Sequence, residues 1–291
     1  MQRTLTFESS RDGTPIWCGT TGQGPHLVLC DGFACDGFIW PYIIDSFHEN
    51  YTVVRWHYRG HGRSGVPEDF AHLTMDDVCQ DLLDVLDNLQ IESAILAGHS
   101  MGSQVILQAY ENFPERIKAL IPICGTYMRP LDTFNNSDLL AKLLPYLEMA
   151  AQAAPNVLQG IWKTFVNTKL SYIAAHLTEL NSSLVNGEDF RPYLEHTAAM
   201  DVHVYLGMLH HLAEHSAEHI LPTITVPTLI IASEFDSFTP LARSELMHAS
   251  IPNSDMVVLP GASHAGPIEL PDTVIGAMEK FLHQHGLDSQ T

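Results

Sequence analysis

Ile95-Leu-Ala-Gly-His-Ser-Met-Gly-Ser103 contains the pattern G-x-S-x-G, around which the predicted organisation of the chain is built. A short apolar run of strand length precedes the pattern, and a segment compatible with a helix follows it and stops at Phe113-Pro114. A chain that turns sharply from a strand into a helix needs small residues on both sides of the turn, and Gly98 and Gly102 supply them. The pattern therefore predicts that Ser100 lies on a tight turn at the carboxyl end of a strand, with its hydroxyl exposed.

Length and composition indicate a globular chain that can bury a sizeable core. Of the 291 residues 45% are hydrophobic and 16% are charged, and the formal charge of −20 predicts a surface that repels nucleic acids and anionic membranes. No run approaches the roughly 18 apolar residues of a membrane-spanning helix, and the first residues lack the apolar segment of a signal peptide. Five cysteines without a CxxC pair favour buried free thiols in a reducing compartment. We therefore expect a cytoplasmic monomer or homodimer that binds neither nucleic acid nor membrane.

Strand-like and helix-like segments alternate along the chain, as in the helical spacing of apolar residues over 74–89, where Thr74 is a plausible N-cap. This alternation predicts an α/β fold with a mostly parallel, doubly wound sheet that is covered by helices on both faces. A turn at Asp12-Gly13 predicts a hairpin at the start, the glycines of 19–24 predict a loop, and a short helix is expected over 38–47. The predicted strands lie at 5–7, 16–18, 26–30, 51–56, 93–97, 117–124, 227–232 and 256–259.

Between residues 127 and 200 the strand-like runs disappear, and long helical stretches interrupted by prolines replace them. This change predicts a core domain formed by 1–126 and 201–291, with a helical cap formed by 127–200 inserted between two strands. Between 137 and 180 the cap is rich in aliphatic and aromatic residues and carries few charges. We expect these residues to contribute an apolar pocket over Ser100. The lack of a basic cluster disfavours phosphorylated or strongly anionic substrates.

A serine hydroxyl needs a base and an orienting carboxylate before it can attack a carbonyl carbon at neutral pH. Asp236 and His264 each follow directly after a predicted strand downstream of Ser100. Because the carboxyl ends of parallel strands meet at one edge of a sheet, both side chains are predicted to lie near the serine. Each has a structural alternative: His264 could be an ordinary loop histidine, and Asp236 could cap a helix while Glu234 supplies the carboxylate.

These motifs resemble those of α/β-hydrolase-fold serine hydrolases of the esterase-like kind with a helical cap. The resemblance covers the whole core and rests on Asp31-Gly32-Phe33, Arg59–Ser64, Gly98–Gly102, Asp236 with Thr239-Pro240, and His264. It implies that Ser100 is the nucleophile, that His264 is the general base and then the acid, and that Asp236 orients the histidine. It also implies an oxyanion hole formed by the backbone N–H groups of Phe33 and Met101, and it implies no cofactor.

Two departures from the common pattern of this family concern the neighbourhood of the predicted oxyanion hole. The loop that usually begins His-Gly begins with Asp31-Gly32, and Trp56-His57-Tyr58 stands where an aspartate often precedes Arg-Gly. An ionised Asp31 beside a developing oxyanion would oppose catalysis, so we expect its carboxylate to turn away and accept hydrogen bonds from loop N–H groups. The segment 59–64 is interpreted as a structural turn.

A histidine-rich helix over 201–217 and the residues after it form a second candidate site. His211, His215 and His219 are spaced i, i+4 and i+8, and the other flank carries His203, His210 and Glu214. Helical histidine pairs can bind zinc, but the polar side of an amphipathic helix explains the same pattern. We predict that no physiological metal binds.

The sequence favours a serine hydrolase that cleaves a small-molecule carboxylic ester with an apolar or aromatic group through an acyl-enzyme on Ser100. The same triad would serve a carbon–carbon bond hydrolase, a lactonase, a thioesterase or a perhydrolase, because the pocket rather than the fold determines the function. A non-catalytic ligand-binding member of the fold is a further alternative, which the presence of all three triad candidates disfavours.

Overall fold

An eight-stranded sheet with the order β1-β2-β4-β3-β5-β6-β7-β8 forms the centre of the computed structural model. The structure describes residues 3–132, 139–166, 168, 181, 183–185 and 187–288. The strands are β1 (Arg3–Glu8), β2 (Pro15–Gly22), β3 (His26–Cys30), β4 (Thr52–Trp56), β5 (Ala94–His99), β6 (Ile117–Ile123), β7 (Thr228–Ser233) and β8 (Ser254–Leu259). β2 pairs antiparallel with β1 and β4, and every other pair of neighbouring strands is parallel. The predicted mostly parallel sheet is confirmed.

Helices pack on both faces of this sheet, as the alternation of buried side chains along β3 shows. Val28 belongs to one apolar cluster, with side chains of α2 and α3, whereas Leu27 and Leu29 belong to a second cluster, with α1 and α10. The helices are α1 (Pro41–Phe47), α2 (Met75–Asn88), α3 (Met101–Asn112), α4 (Leu139–Ala153), α5 (Pro155–Val166), α6 (Gly187–Ala199), α7 (Val202–Glu214), α8 (Leu241–Ser250), α9 (Gly266–Glu269) and α10 (Pro271–Gln284). Short 3₁₀ helices lie at Phe70–His72, Pro114–Arg116, Pro130–Asp132 and Glu218–Thr223.

Local signals place several of these elements correctly. Thr74 caps α2 as predicted, and its hydroxyl accepts a hydrogen bond from the N–H of Asp77, whose carboxylate accepts one from the N–H of Thr74. The hairpin of β1 and β2 is confirmed as well. All five cysteines are buried and free, as expected.

Two boundaries differ from the prediction because non-local pairing and chain geometry override composition. The predicted loop over 19–24 is wrong up to Gly22, since β2 continues that far and pairs with β4, Gly22 lying opposite Thr52. The predicted helix over 38–47 begins only at Pro41, because proline has no N–H and suits the first turn of a helix.

The chain between β6 and β7 is helical in the described residues. α4, α5, α6 and α7 lie there, and α7 contacts α4 and α5 as well as α2. α7 thus packs on the predicted cap, although the predicted boundary at residue 200 assigns it to the core; the division into domains stays a prediction. Residues 133–138, 167, 169–180, 182 and 186 of the predicted cap lie outside the described residues. Among the helices the structure describes, none is both long and apolar enough to cross a bilayer.

A fully buried ion pair anchors the turn after β4. The guanidinium of Arg59 donates from Nε and Nη2 to the two carboxylate oxygens of Asp81 at 2.8 and 2.7 Å, and neither side chain is exposed. Nη1 donates to the carbonyl oxygen of His72, and Nη2 also donates to Ser9 Oγ. Together these bonds join the turn at Arg59 to three other segments of the chain, at Ser9, His72 and Asp81. They support the interpretation of 59–64 as a structural turn.

We predict that Arg59→Met lowers the free energy of unfolding by about 3–5 kcal/mol, because Asp81 would keep a buried charge without its partner. Urea denaturation followed by circular dichroism measures the loss. Arg11→Met is the control: Arg11 pairs with Asp77, but its side chain is 45% exposed, so the expected loss is at most about 1 kcal/mol. Equal losses in the two variants would contradict the prediction.

Candidate active site

Ser100 lies at the turn from β5 into α3, where the backbone is strained. Its φ of 53° and ψ of −117° are rare for a residue with a side chain. A Cβ on Gly98 would lie 2.2 Å from the carbonyl oxygen of Gly102, and a Cβ on Gly102 would lie 2.2 Å from that of Cys30. Only glycine fits at both positions, so the predicted tight turn is present and the sequence pattern is a steric requirement.

One hydrogen bond to β6 and one between α3 and β5 hold the strained turn in place. The N–H of Ser100 donates to the carbonyl oxygen of Ile123 at the end of β6, at 3.0 Å. The hydroxyl of Ser103 donates back to the carbonyl oxygen of Gly98 at 2.9 Å. These bonds fix the serine relative to the carboxyl edge of the sheet.

The loops after β7 and β8 bring the two other candidate residues to the serine. His264 Nε2 lies 2.9 Å from Ser100 Oγ, and His264 Nδ1 lies 2.8 Å from Asp236 Oδ2. When the ring proton is on Nδ1, the Nδ1–H group donates a hydrogen bond to the carboxylate of Asp236. Nε2 is then free to accept the hydroxyl proton of Ser100. Glu234, the alternative carboxylate, is exposed and instead accepts a hydrogen bond from the N–H of Gly261. The geometry therefore favours Asp236 over Glu234.

Asp236 is buried but remains suited to carry a charge. Its Oδ1 accepts the backbone N–H groups of Phe238 and Thr239, both at 2.8 Å, and its Oδ2 accepts the hydroxyl of Thr239 at 2.7 Å. Burial by itself would raise the pKa of Asp236, but the charge of His264 and the hydrogen bonds from His264 and Thr239 lower the pKa below its ordinary value. An ionised carboxylate behind the imidazole follows.

The two residues of the predicted oxyanion hole line the same cavity as Ser100. Met101 is the first residue of α3, so its N–H has no acceptor within the helix. Phe33 lies in the turn after β3, immediately before Ala34, which has a φ of 56°. Their roles as donors to an oxyanion stay a prediction.

Asp31 accepts a hydrogen bond from a donor that differs from the expected one. The carboxyl group is 2% exposed, and Oδ1 accepts the indole N–H of Trp40 at 2.6 Å, so the prediction of loop N–H donors is wrong. A side chain nine residues further on cannot be identified as the donor from sequence spacing. Burial raises the pKa of Asp31 to about 8, although the Trp40 bond opposes this shift. At neutral pH the group is therefore uncharged.

Two buried histidines bond the backbone of loops at the site, although no role was predicted for either from the sequence. His99, the residue before Ser100, has Nε2 3.0 Å from the carbonyl oxygen of His264. His61 has Nδ1 3.0 Å from the carbonyl oxygen of Arg59, and its Nε2 accepts the N–H of Ala34. Burial lowers the pKa of both to about 3, so both are neutral. The only signal for them in the sequence is that His99 lies inside the G-x-S-x-G pattern and His61 inside the segment 59–64.

A cavity of about 180 Å³ opens over Ser100. Its apolar walls come from the loop after β3 and from α6 and α7, including Phe38, Phe190, Tyr193, Tyr205, Leu209 and Leu212. Of the predicted stretch 137–180, Leu140 lines the cavity. Neither lysine nor arginine is among the lining residues that the structure describes.

The histidines at and after the end of α7 are not among the residues that line this cavity, and they have separate partners. His215 Nε2 lies 2.9 Å from Gln108 Oε1 and its Nδ1 lies 3.0 Å from Gln104 Nε2, whereas His219 Nε2 lies 2.7 Å from Glu111. His210 lies between Glu148 and Glu214. Within the described part of the chain, no three His, Cys, Asp or Glu side chains are grouped as metal ligands.

The comparison with known families agrees with this architecture. A family model described as the alpha/beta hydrolase fold matches residues 25–271. The chain belongs to the α/β-hydrolase fold family. The match spans both the helical insertion and the strands that carry Ser100, Asp236 and His264.

Individual members of the α/β-hydrolase family that resemble the chain have diverse activities. It is 26% identical to 3-oxoadipate enol-lactonase 1 of Acinetobacter baylyi, over 89% of each chain. It is 24% identical to the karrikin insensitive 2 receptor CA of Petunia hybrida, over 90% of this chain and 93% of the receptor. A thermophilic esterase from Thermogutta terrifontis shares the fold with a TM-score of 0.80 at 20% identity, covering 98% of this chain and 99% of the esterase.

We predict that Asp31→Asn makes the stability of this α/β-hydrolase-fold protein less dependent on pH. The folded-state pKa of about 8 exceeds the unfolded value of about 3.9, so between these pH values unfolding releases a proton. The wild-type fold therefore loses stability as pH rises through this window, and the asparagine variant does not. Urea denaturation at pH 4.5, 6 and 7.5 should show a growing relative gain for the variant.

Asp45→Asn is the control for this prediction, because it makes the same change from a carboxyl to an amide at an exposed position. A stability difference between Asp31→Asn and the wild type that stays constant across the three pH values would contradict the assignment of a protonated Asp31.

Proposed function

We propose that this protein is a serine hydrolase that cleaves a carboxylic ester with an apolar or aromatic group through an acyl-enzyme on Ser100. The continuous chain of contacts from Asp236 through His264 to Ser100, with distances of 2.8 and 2.9 Å, carries the proposal. A nucleophile, a base and an orienting carboxylate within hydrogen-bond distance are the arrangement that acyl transfer requires.

In the proposed mechanism His264 Nε2 accepts the hydroxyl proton of Ser100 as Oγ attacks the ester carbonyl carbon. The oxyanion of the tetrahedral intermediate accepts the N–H groups of Phe33 and Met101, each worth about 2.7–4 kcal/mol in such sites. Asp236 stabilises the imidazolium. His264 then donates its proton to the leaving alcohol, and a water molecule activated by His264 releases the acid from Ser100.

The cavity supports a small, uncharged substrate. A cavity of about 150 Å³ suffices to bind benzene in a protein core, so the volume of about 180 Å³ next to Ser100 suits a short acyl chain or one aromatic ring. The absence of lysine and arginine from the described lining residues disfavours anionic substrates. The five free, buried cysteines support the further proposal of a cytoplasmic location, and the charge of −20 supports the proposal that neither nucleic acid nor membrane is a partner.

A lactone is the second candidate substrate, since a lactone is an internal ester and the same three residues would open it. The 26% identity to an enol-lactonase over 89% of the chain supports this alternative. The likeness to a plant receptor supports a non-catalytic, ligand-binding role as a third possibility. A fluorophosphonate probe distinguishes the catalytic proposals from the receptor-like one.

We predict that the wild-type protein hydrolyses p-nitrophenyl acetate and butyrate, and that Ser100→Ala lowers kcat by about 10⁶-fold, as loss of the nucleophile does in serine hydrolases. A fluorophosphonate should form one adduct, which peptide mass mapping places on Ser100. Circular dichroism checks that the variant is folded. A wild-type protein that neither forms the adduct nor hydrolyses any ester or lactone would refute the proposed function.

We predict that Asp236→Asn lowers kcat by about 10⁴-fold, because the amide would favour the wrong tautomer of His264. Glu234→Gln is the matched control: it makes the same change two residues away, at an exposed carboxylate bonded to Gly261, and should stay within twofold of wild type. A larger loss in the Glu234 variant would identify that residue as the functional carboxylate.

A further inference from the structure

A second buried carboxylate, outside the triad, holds the loop that carries His264. Glu269 is the last residue of α9 and is 4% exposed. Its Oε2 accepts the backbone N–H of Ser263 at 2.5 Å, and its Oε1 accepts the hydroxyl of the same serine at 2.5 Å. Ser263 directly precedes His264, so both carboxylate oxygens act on the residue next to the base.

Such a carboxylate is unusual among buried groups because burial of a charge costs free energy unless strong hydrogen bonds compensate it. Asp236, the carboxylate of the proposed triad, bonds the imidazole of His264. In the described contacts, Glu269 bonds only hydroxyl and backbone N–H groups. Charge-assisted bonds of this kind are short and directional. They therefore fix the backbone at Ser263 more tightly than loop packing alone would.

The same carboxylate also binds the inserted helical segment. Glu269 Oε1 accepts the backbone N–H of Asn181 at 2.6 Å, and the side-chain amide of Asn181 donates to the carbonyl oxygen of Gly261 at 2.7 Å. Asn181 thus contacts Gly261 in the loop after β8 and Glu269 at the end of α9, which precede and follow Ser263 in the chain. The insertion and the loop of His264 are joined at two points.

We propose that Glu269 is a positioning residue that keeps His264 in line with Ser100, and that through Asn181 it makes this alignment depend on where the inserted segment lies. The proposal rests on the proposed function of the triad. On the other side of the loop, His99 Nε2 bonds the carbonyl oxygen of His264 at 3.0 Å. The backbone on either side of His264 Cα is therefore held between the end of β5 and a carboxylate that also bonds the insertion.

Glu269→Gln tests the proposal at almost constant size. The side-chain amide has one acceptor oxygen and one NH₂ group, whereas the carboxylate binds a backbone N–H on each oxygen. In either orientation of the amide, the N–H of Ser263 or that of Asn181 faces another donor. The variant therefore releases the loop, the insertion or both.

Two measurements are kcat and KM for p-nitrophenyl acetate. Two more are the rate constant with which the fluorophosphonate reacts with Ser100 (the phosphonylation rate constant) and the fraction of protein molecules that carry the adduct when this reaction is complete (the titrated fraction). We expect Glu269→Gln to lower kcat and the phosphonylation rate constant by about 10- to 100-fold, since misplacing a catalytic group by about 1 Å has effects of this size. KM should stay within about twofold and the titrated fraction near one. Glu234→Gln, which alters another carboxylate bonded to this loop, should match the wild type in every measurement.

Two milder variants keep the proposal testable if Glu269→Gln does not fold. Ser263→Ala removes one donor to Glu269, and Asn181→Ala removes the bond to Gly261 while retaining the backbone N–H. Both should lower the two rate constants at full titration. In particular, a loss in Asn181→Ala would link the insertion to the chemistry at Ser100.

Rate constants within twofold of wild type in all folded variants would overturn the role of Glu269. So would losses matched by an equal fall in the titrated fraction, because these indicate a purely structural role. A wild-type protein that forms no adduct would overturn the proposed function itself, which separates the two failures.

Discussion

The close approach of the β5–α3 turn to the end of β3 is the constraint on which the rest of the site depends. With only 2.2 Å between a Cβ on Gly102 and the carbonyl oxygen of Cys30, any side chain there would push the turn off the sheet. The close approach that glycine permits places Ser100 beside the loop after β3, where Phe33 lies. The parallel order of β6, β7 and β8 then brings the other loops to the same edge.

Two buried carboxyl groups near this edge show how surroundings decide charge. Asp236 accepts hydrogen bonds from two backbone N–H groups, a hydroxyl and an imidazole, and its pKa is lowered despite burial. Asp31 accepts one bond from Trp40, and its pKa rises to about 8. The difference is the number and charge of the donors. Asp236 is thus suited to stabilise a cationic imidazole, whereas a protonated Asp31 adds no negative charge beside the proposed oxyanion hole.

The sequence predicted the features that depend on local pattern. Apolar strands, the G-x-S-x-G turn and the candidates after the last two strands follow from residue size, hydrophobicity and order along the chain, and the observed sheet agrees. Partners distant in sequence could not be predicted, because spacing says nothing about which side chains meet across loops. The hydrogen bonds between Trp40 and Asp31, between His61 and Ala34, and between Asn181 and Glu269 are contacts of this kind. The extension of β2 depends likewise on its pairing with β4.

The burial of the cysteines has a consequence for the chemical selectivity of the whole molecule. Burial raises the pKa of Cys18 to about 11 and that of Cys30 to about 12, and it raises those of Cys79 and Cys124 as well. Because the thiolate rather than the thiol reacts with electrophiles and oxidants, these side chains are inert at neutral pH. Soft electrophiles and mild peroxide therefore react little at these four sulfur atoms.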